Sequence, residues 1–580
     1  MFHSRTSRRD LFHLAGRGAA GLVGAHWSMA ALAADGWQPD LIVYNAKVYT
    51  VDDRMPKAEA FAVKGDRFMA VGTSAEMRAL AGPGTKLLDA AQMTVVPGFI
   101  DTHNHPVGEW LLYEVLVGNP YDVEFVTIAG IVDKLKARAA KTPPGTWVSG
   151  YFFDDTKVKD KRALTADDLD KVSTVHPVMV LHRGGHTAYY NHKALEMAGI
   201  TRATPDIQGG TYDKLPNGEL SGRVTDTARA VINKVGDRPV FTAAEKFDRL
   251  KEGLAFISKQ YVRYGLAGVH HQGGSGMTSM ATGDVDALQI VRARGDLKHR
   301  VSFEVSGSIL DAMIREGIRT GFGDEWIRFG ATAEHTADGS FSERTMAMSV
   351  PYPGSNSPYQ GNVTETQDVL DAWVLKVHRA GIQVNCHANG DVAIASVLTA
   401  YERALKAYPV KAMRPKITHC TLINDEILRR MKALDCVPAV FTSYAYYNAD
   451  KFHFYGEELM KRAMAFRSFL DAGIHVAAGS DFFPGPFSPL MGIQGMVTRT
   501  GWNGEVWGAN QRVTVDEAIR INTLNGAYAS FEDHIKGSIT PGKLADYVML
   551  AEDPHSVDPG HIKDIRIVRT VTGGNAVYEG

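Results

Sequence analysis

The sequence predicts an α/β protein: a (β/α)8 TIM barrel with a β domain assembled from both chain ends and a lobe inserted after the first barrel strand. Three observations predict it. Eight apolar runs alternate with helix-like segments through the middle of the 580-residue chain. Short strand-like runs bounded by turns occupy both its beginning and its end. The connection between His105 and Leu266, roughly 160 residues, is far longer than the one loop and helix a barrel needs there.

Taken in order, residues 1–33 read as an export signal. Ser7-Arg8-Arg9-Asp10-Leu11-Phe12 resembles the twin-arginine signature, a glycine- and alanine-rich apolar stretch follows, and Ala31-Leu32-Ala33 fits a small-x-small cleavage site. The twin-arginine export machinery is therefore an expected partner, and the mature protein is expected to be periplasmic or otherwise exported by that route. The stretch is too short and glycine-rich for a good span, and every later apolar run is interrupted by charge, so no stable membrane span is expected.

Residues 39–94 hold strand-like runs at 40–50, 60–63, 68–72 and 86–89, with a hairpin turn at Lys64-Gly65-Asp66-Arg67. Residues 535–580 hold three more, ending at 550, 571 and 578. These two segments are expected to form one β domain. The barrel is expected over 95–108 and 245–534, with strands at 95–105, 266–271, 301–305, 327–334, 382–387, 416–419, 437–441 and 475–481. Between them, 367–380 and 457–472 show the helical apolar period and stop at Gly381 and Gly473. Residues 109–244 form the inserted lobe, with a strand at Pro177-Val178-Met179-Val180-Leu181-His182 and a turn at Pro216-Asn217-Gly218-Glu219. Residues 351–362 read as a long loop after the fourth strand.

Composition bounds the function. Hydrophobic residues make up 44% and charged residues 22%, as in ordinary globular proteins. With 63 basic and 65 acidic side chains there is no basic excess, so nucleic acid is not a partner. The three cysteines, Cys386, Cys420 and Cys436, suggest neither a disulfide framework nor a cysteine zinc site. Nothing in the sequence decides whether the chain forms a homo-oligomer.

The chemistry lies at the carboxyl ends of the strands. His103 and His105 are two apart on a strand, so both side chains reach one point. Glu334 ends the fourth strand, His387 the fifth, His419 the sixth and Asp481 the eighth. In a barrel these ends converge on one face. Four imidazoles and two carboxylates suit a divalent cation such as zinc, with nickel, manganese and iron as alternatives. Desolvating so many ionisable groups without an ion is costly. His271, ending the second strand, and His186, in the lobe, are candidates for touching a small-molecule substrate or for structural hydrogen bonds. Trp110, Phe152, Phe153, Tyr444, Tyr446, Tyr447, Phe482 and Phe483 fall near the predicted mouth. They suggest an apolar substrate or, equally, packing between lobe and barrel. Cys386 and Cys420 adjoin ligand histidines but face the opposite way, as packing residues.

Across residues 40–580 the chain resembles the amidohydrolase superfamily, specifically amidohydrolase family 3, the YtcJ-like metal-dependent hydrolases. The resemblance is carried by Pro97-Gly98-Phe99-Ile100-Asp101-Thr102-His103-Asn104-His105, by Gly185-His186-Thr187-Ala188-Tyr189-Tyr190-Asn191-His192, and by Asp338-Gly339-Ser340 followed by Arg344-Thr345. His387-Ala388-Asn389-Gly390-Asp391, Ile417-Thr418-His419-Cys420 and Ala478-Gly479-Ser480-Asp481 complete it. It implies a barrel flanked by a β-sandwich from both termini, a metal-dependent hydrolase, and a further substrate-contact candidate in Arg344. In many relatives a carboxylated lysine bridges two metals where this chain has Glu334. The metal count is thus left between one and two, with an orienting role on a histidine as the alternative for Glu334.

The expected reaction is hydrolysis of a carbon–nitrogen bond other than a peptide bond, in an amide, N-formyl, carbamate or cyclic imide compound. Metal-activated water attacks, Asp481 acts as general acid and base, and the metal with His387 or His419 stabilises the oxyanion. An isomerase or lyase on the same scaffold, or a non-catalytic binding protein, is the competing expectation.

Overall fold

The computed structural model describes residues 38–273, 284–353 and 358–580. The expected export signal, 1–33, lies outside the described residues. The apolar run beginning at Val95 is two strands rather than one: Thr94–Pro97, and β1 at Phe99–Asn104. Gly98 separates them. Its N–H donates to Asp546 O at 2.9 Å, and a Cβ at this position would stand 2.5 Å from the Ala267 Cβ, so the close passage requires glycine.

Thr94–Pro97 pairs antiparallel with Tyr547–Leu550 inside a six-stranded sheet that also takes Lys47–Tyr49, Lys57–Ala58, Ile567–Thr572 and Asn575–Glu579. Both chain ends therefore share one sheet. A second, four-stranded sheet holds Leu41–Tyr44, Ala60–Lys64, Arg67–Gly72 and Lys86–Asp89. Side chains of the two sheets fill a common core: Phe61 and Tyr547 meet edge to face at 5.0 Å, with Val43, Phe68, Val95 and Met549 around them. The pairing is mixed, since Leu41–Tyr44 runs parallel to Lys86–Asp89 and Lys47–Tyr49 parallel to Thr94–Pro97.

After β1 come β2 (Leu266–Gln272), β3 (Arg300–Val305), β4 (Ile327–Thr332), β5 (Asn385–Ala388), β6 (Lys416–His419), β7 (Val437–Phe441) and β8 (Ala477–Gly479). They form two parallel sheets, β1 to β4 and β5 to β8. Isolated parallel bridges join the sheets at both edges, Ala331 to Gln383 and Asn104 to Phe482. Helices alternate with the strands: α1 (Ala243–Arg263) before β2, then α2 (Asp284–Ala293), α3 (Gly307–Arg315), α4 (Gln367–Arg379), α5 (Asp391–Ala407), α6 (Asp425–Leu434) and α7 (Phe466–Asp471). The longest, α1, starts at a Thr242–Glu245 capping box and buries Leu250, Leu254, Ile257 and Tyr261 along one stripe. The single helix expected over 457–472 is broken into Glu457–Met460 and α7. Met464 takes φ 48° between them, and its N–H donates to Thr421 O at 2.8 Å, so this segment pairs with the loop after β6 instead of continuing a helix.

Between β1 and α1 the chain builds another six-stranded sheet. Its centre is Val148–Phe153, Val178–His182, Thr187–Tyr190 and Leu220–Thr225. The turn expected at 216–219 is present, with Gly218 at φ +84°. Within the parallel strands, Lys416 pairs with Glu304 in full burial. Asn385 donates to Glu304 at 3.1 Å, and Lys416 donates to Thr102 O at 3.2 Å. Removing one partner of such a pair costs about 3–5 kcal/mol. Among the described residues no helix is long and apolar enough to cross a membrane.

Candidate metal centre

The alternation of an extended strand brings His103 and His105 together at the end of β1, with ring centroids 5.1 Å apart. Their Nε2 atoms stand 3.2 and 3.3 Å from Asp481 Oδ1 and each 3.6 Å from Glu334 Oε1. The other oxygen of Glu334, Oε2, lies 3.3 Å from His387 Nδ1 and 3.5 Å from His419 Nε2. Those two nitrogens are 2.6 Å apart. One carboxylate thus presents a separate oxygen to each pair of imidazoles, and all six residues singled out at the strand ends meet at one place.

Surrounding groups fix their orientation. His387 Nε2 donates to Gly339 O at 3.1 Å, which leaves Nδ1 to face Glu334. Asp101 accepts from Ser480 Oγ at 2.6 Å, Ser480 N at 2.9 Å and Asn104 Nδ2 at 2.9 Å, tying the end of β1 to the residue before Asp481. Asp338 accepts the N–H groups of Ala347 and Asn389 at 2.9 Å and of Gly390 at 2.8 Å, and so shapes the loop that carries Gly339. Tyr444 donates to Asp481 Oδ2 at 3.4 Å. His419 and Asp481 both sit in the left-handed backbone region, at φ 73° and 52°. Each such residue costs about 1–3 kcal/mol, offset here by bonds such as Asp481 N–H to His103 O at 2.9 Å.

Burial pushes the Glu334 and Asp481 carboxyls up, but the facing imidazoles outweigh it. Glu334 is held well below its ordinary range and Asp481 falls to about 2. Burial, reinforced by the charge on His387, pushes His419 down to about 3, so its imidazole keeps a lone pair to offer. His103 Nε2 and Glu334 Oε2 are buried without a hydrogen-bond partner. Two ligand groups, His103–His105–Glu334 and Glu334–His387–His419, are each compact enough to surround an ion. This nitrogen and oxygen donor set fits divalent cations of the zinc type.

Five of the six, His105, Glu334, His387, His419 and Asp481, border a cavity of about 500 Å³ roofed by the sheet after β1, with His103 buried behind them. His186 lines it as expected. Its ring lies 5.2 Å from that of His387, and its Nδ1 is 2.8 Å from Asp226 Oδ1. Burial alone would pull its imidazolium down, but the bond to Asp226 raises it to about 9. Two other candidates are corrected. His271 points away from the cavity because His270, its neighbour on β2, takes the inward position beside Glu304 at 3.6 Å. His271 Nε2 instead meets His299 Nε2 at 2.9 Å beneath α1. Arg344 does not line the cavity either, since it donates to Asp155 Oδ2 at 2.7 Å and covers the Phe454 ring. Of the eight aromatic candidates only Phe483 lines it. Phe152 and Phe482 pack on one another, Phe153 fills the core of the inserted sheet, and Tyr447 lies under Arg183. Asp226, Thr227, Arg229 and Asn233 add polar groups to a wall that also presents Ala230, Phe483 and Pro484. The four polar residues escaped the sequence reading. Their signal was the strand Leu220–Thr225 ending on Asp226, much as the metal-side strands end on their ligands. Cys386 and Cys420 are buried packing residues, with the Cys386 thiol pushed up to about 12 by burial.

Parallel strands alternating with helices, with imidazoles and carboxylates gathered at the strand ends, are the architecture of metal-dependent hydrolases. The chain belongs to the amidohydrolase family, whose profile matches residues 86–578. It is 28% identical to the N-substituted formamide deformylase of Arthrobacter pascens, over 93% of this chain and 98% of that protein. It is equally 28% identical to the putative amidohydrolase YtcJ of Bacillus subtilis, over 92% and 98%. Among solved structures it resembles a metal-dependent hydrolase from Pyrococcus horikoshii OT3, with a TM-score of 0.67 at 22% identity over 90% of this chain and 99% of that one.

Proposed function

We propose that this chain hydrolyses a carbon–nitrogen bond other than a peptide bond in a small amide, N-formyl, carbamate or cyclic imide compound. The observation that carries the reading is the placement of Asp481. One of its oxygens faces His103 and His105 at 3.2 and 3.3 Å, and the other accepts from Tyr444. Its carboxylate is ionised, held between the ligand cluster and the cavity, where a general base must stand. The relationship to a formamide deformylase supports a carbon–nitrogen bond as the target.

The proposed ligands are His103, His105, Glu334 and Asp481 on one side and Glu334, His387 and His419 on the other, holding two divalent ions, zinc by preference. Bound there, such ions supply Lewis acidity that acidifies water and polarises a carbonyl oxygen. Asp481 takes the proton of the attacking water and returns it to the leaving nitrogen. We assign His387 and His419 to metal ligation rather than to the oxyanion. Both nitrogens of His387 are engaged, one with Gly339 O and one toward Glu334, and His419 Nε2 faces Glu334 as well. His186, held by Asp226, projects into the cavity as a donor for substrate.

The same reading closes the eight strands into a (β/α)8 barrel over 95–108 and 245–534, on the strength of the two seam bridges. It joins 39–94 and 535–580 in a β-sandwich, takes 109–244 as a lobe over the site, and sends the protein to the periplasm on the signal at 1–33. Elemental analysis should find about two equivalents of divalent metal per chain. A screen of N-formyl, N-acyl, carbamate and imide compounds in ¹⁸O-labelled water should place solvent oxygen in the product. Turnover without label would identify an isomerase or lyase instead, and metal binding with no turnover across the screen a binding protein.

A further inference from the structure

The cavity wall carries an arginine that forms no ion pair with an acid, the Glu343 carboxylate acting on it only at longer range. Arg229 begins the short helix Arg229–Ile232 and lines the same cavity as Glu334, His387 and Asp481. One terminal nitrogen donates to Gly185 O, which holds the guanidinium in place. Its Nε is buried and has no hydrogen-bond partner. The acids nearby are already occupied. Asp226 gives Oδ1 to His186 Nδ1 at 2.8 Å and Oδ2 to Asn362 Nδ2 at 2.9 Å. Glu343 faces His182 Nδ1 at 3.0 Å and accepts the His186 and Thr187 N–H groups at 3.0 and 2.8 Å.

Other arginines of this chain show what a satisfied one looks like. Arg300 forks onto Asp546 at 2.8 and 3.0 Å. Arg183, which has no carboxylate partner, fills its donors with the carbonyls of Phe483, Pro484 and Asn119. Arg499 does the same with those of Trp507, Met464 and Ala463. Arg229 donates to the carbonyl of Gly185, lies near the Tyr190 hydroxyl and the Glu343 carboxylate without an ion pair, and faces a cavity. A partly buried guanidinium with no paired carboxylate is unfavourable unless a ligand completes it, and its planar fork matches a carboxylate.

We propose that Arg229 is a specificity residue and that the substrate bears a carboxylate in addition to the bond that is cleaved, seated against Arg229 while the scissile group lies at the ligand cluster. The inference rests on the hydrolase reading for the second group and on the wall geometry alone for the first.

Two measurements test it. Matched pairs, N-butylformamide against N-formyl-γ-aminobutyrate and butyramide against succinamate, compare a methyl with a carboxylate. In the wild type the acid member of at least one pair should be preferred in kcat/KM by about 10–100-fold, the worth of a charge-assisted hydrogen bond, and R229M should bring that ratio near unity. R229K, which keeps charge without the fork, should retain an intermediate preference, with metal content and melting temperature reporting that the variants fold. Independently of turnover, the tightest of succinate, glutarate and adipate should bind the metal-loaded protein about 10-fold or more better than the corresponding monoacid, an advantage lost in R229M. Neutral members turned over as well as their acids, or an acid preference that survives in R229M, overturns the proposal. If no amide is cleaved but the dicarboxylate advantage depends on Arg229, the hydrolase reading fails and the anion site stands. If neither dicarboxylate preference nor acid preference is seen, the anion site fails.

Discussion

Two groups of histidine and carboxylate in this molecule share a composition and differ in their surroundings. Asp154, Asp155 and His182 lie as close to one another as His103, His105 and Glu334 do. In the first group every charge is answered by protein. Asp154 meets Lys157 at 3.0 Å and Lys451 at 3.1 Å, Asp155 meets Arg344 at 2.7 Å, and His182 meets Glu343 at 3.0 Å. In the second, only imidazoles face the Glu334 carboxylate, and His103 Nε2 and Glu334 Oε2 have no hydrogen-bond partner. Ammonium and guanidinium groups fill the place of a cation and repel any other. The first cluster is therefore a tether joining residues 154–182 to residues 343–451, and the second is the one suited to an ion. Proximity of ligand atoms does not distinguish them; the counter-charge does.

The largest expected effect sharpens the second cluster. Asp481→Asn should lower turnover about 10³-fold while bound metal is retained, checked by steady-state kinetics beside elemental analysis. Near-normal rates would remove Asp481 from proton transfer. Next, Glu334→Ala should strip most of the metal, because both ligand groups lose their shared carboxylate, whereas Asp155→Ala should leave the metal content unchanged. Metal loss in Asp155→Ala would erase the contrast between the clusters.

The tether should instead show itself in acid stability. Burial pushes the Glu343 carboxyl up, yet the charge of His182 and its hydrogen bond bring it from an ordinary 4.5 down to about 2. A carboxylate with a depressed folded value contributes stability above pH 4.5 and loses it as the pH falls toward 2. The melting temperature of the wild type should drop across that window. Glu343→Gln should be destabilised by about 3 kcal/mol at neutral pH and should show a shallower drop in acid. A parallel decline in both proteins would detach the effect from Glu343. The smallest effect is expected at His271. His271→Leu should cost about 1–2 kcal/mol through its lost partner His299, with KM unaltered. A raised KM would return His271 to the site.

The parallel strands were readable because they obey local rules, although β4 stops at Thr332 and β8 at Gly479, two residues before Glu334 and Asp481. The parallel strands are short apolar runs, and their ligands sit at the ends where the apolar pattern stops. The break at Gly98 was not readable, since Val95 and Ile100 look alike in sequence, and only the close approach of Ala267 and Asp546 separates their sheets. The choice between the two roles open to His271 was not readable, because two adjacent histidines on β2 are equivalent to any pattern, while the register that turns His270 toward Glu304 is set by neighbouring strands. Asp226 and Arg229 were missed because they reach the cavity from a separate sheet, and nothing local marks where that sheet docks.

Thr94–Pro97, which leads directly into the strand of His103, hydrogen-bonds on one side to Tyr547–Leu550. A ribosome makes that partner about 450 residues later. The support beneath the first two imidazoles is thus incomplete until those residues have been made, so ion capture must wait for them, and a chain released before Tyr547 should emerge without its metal.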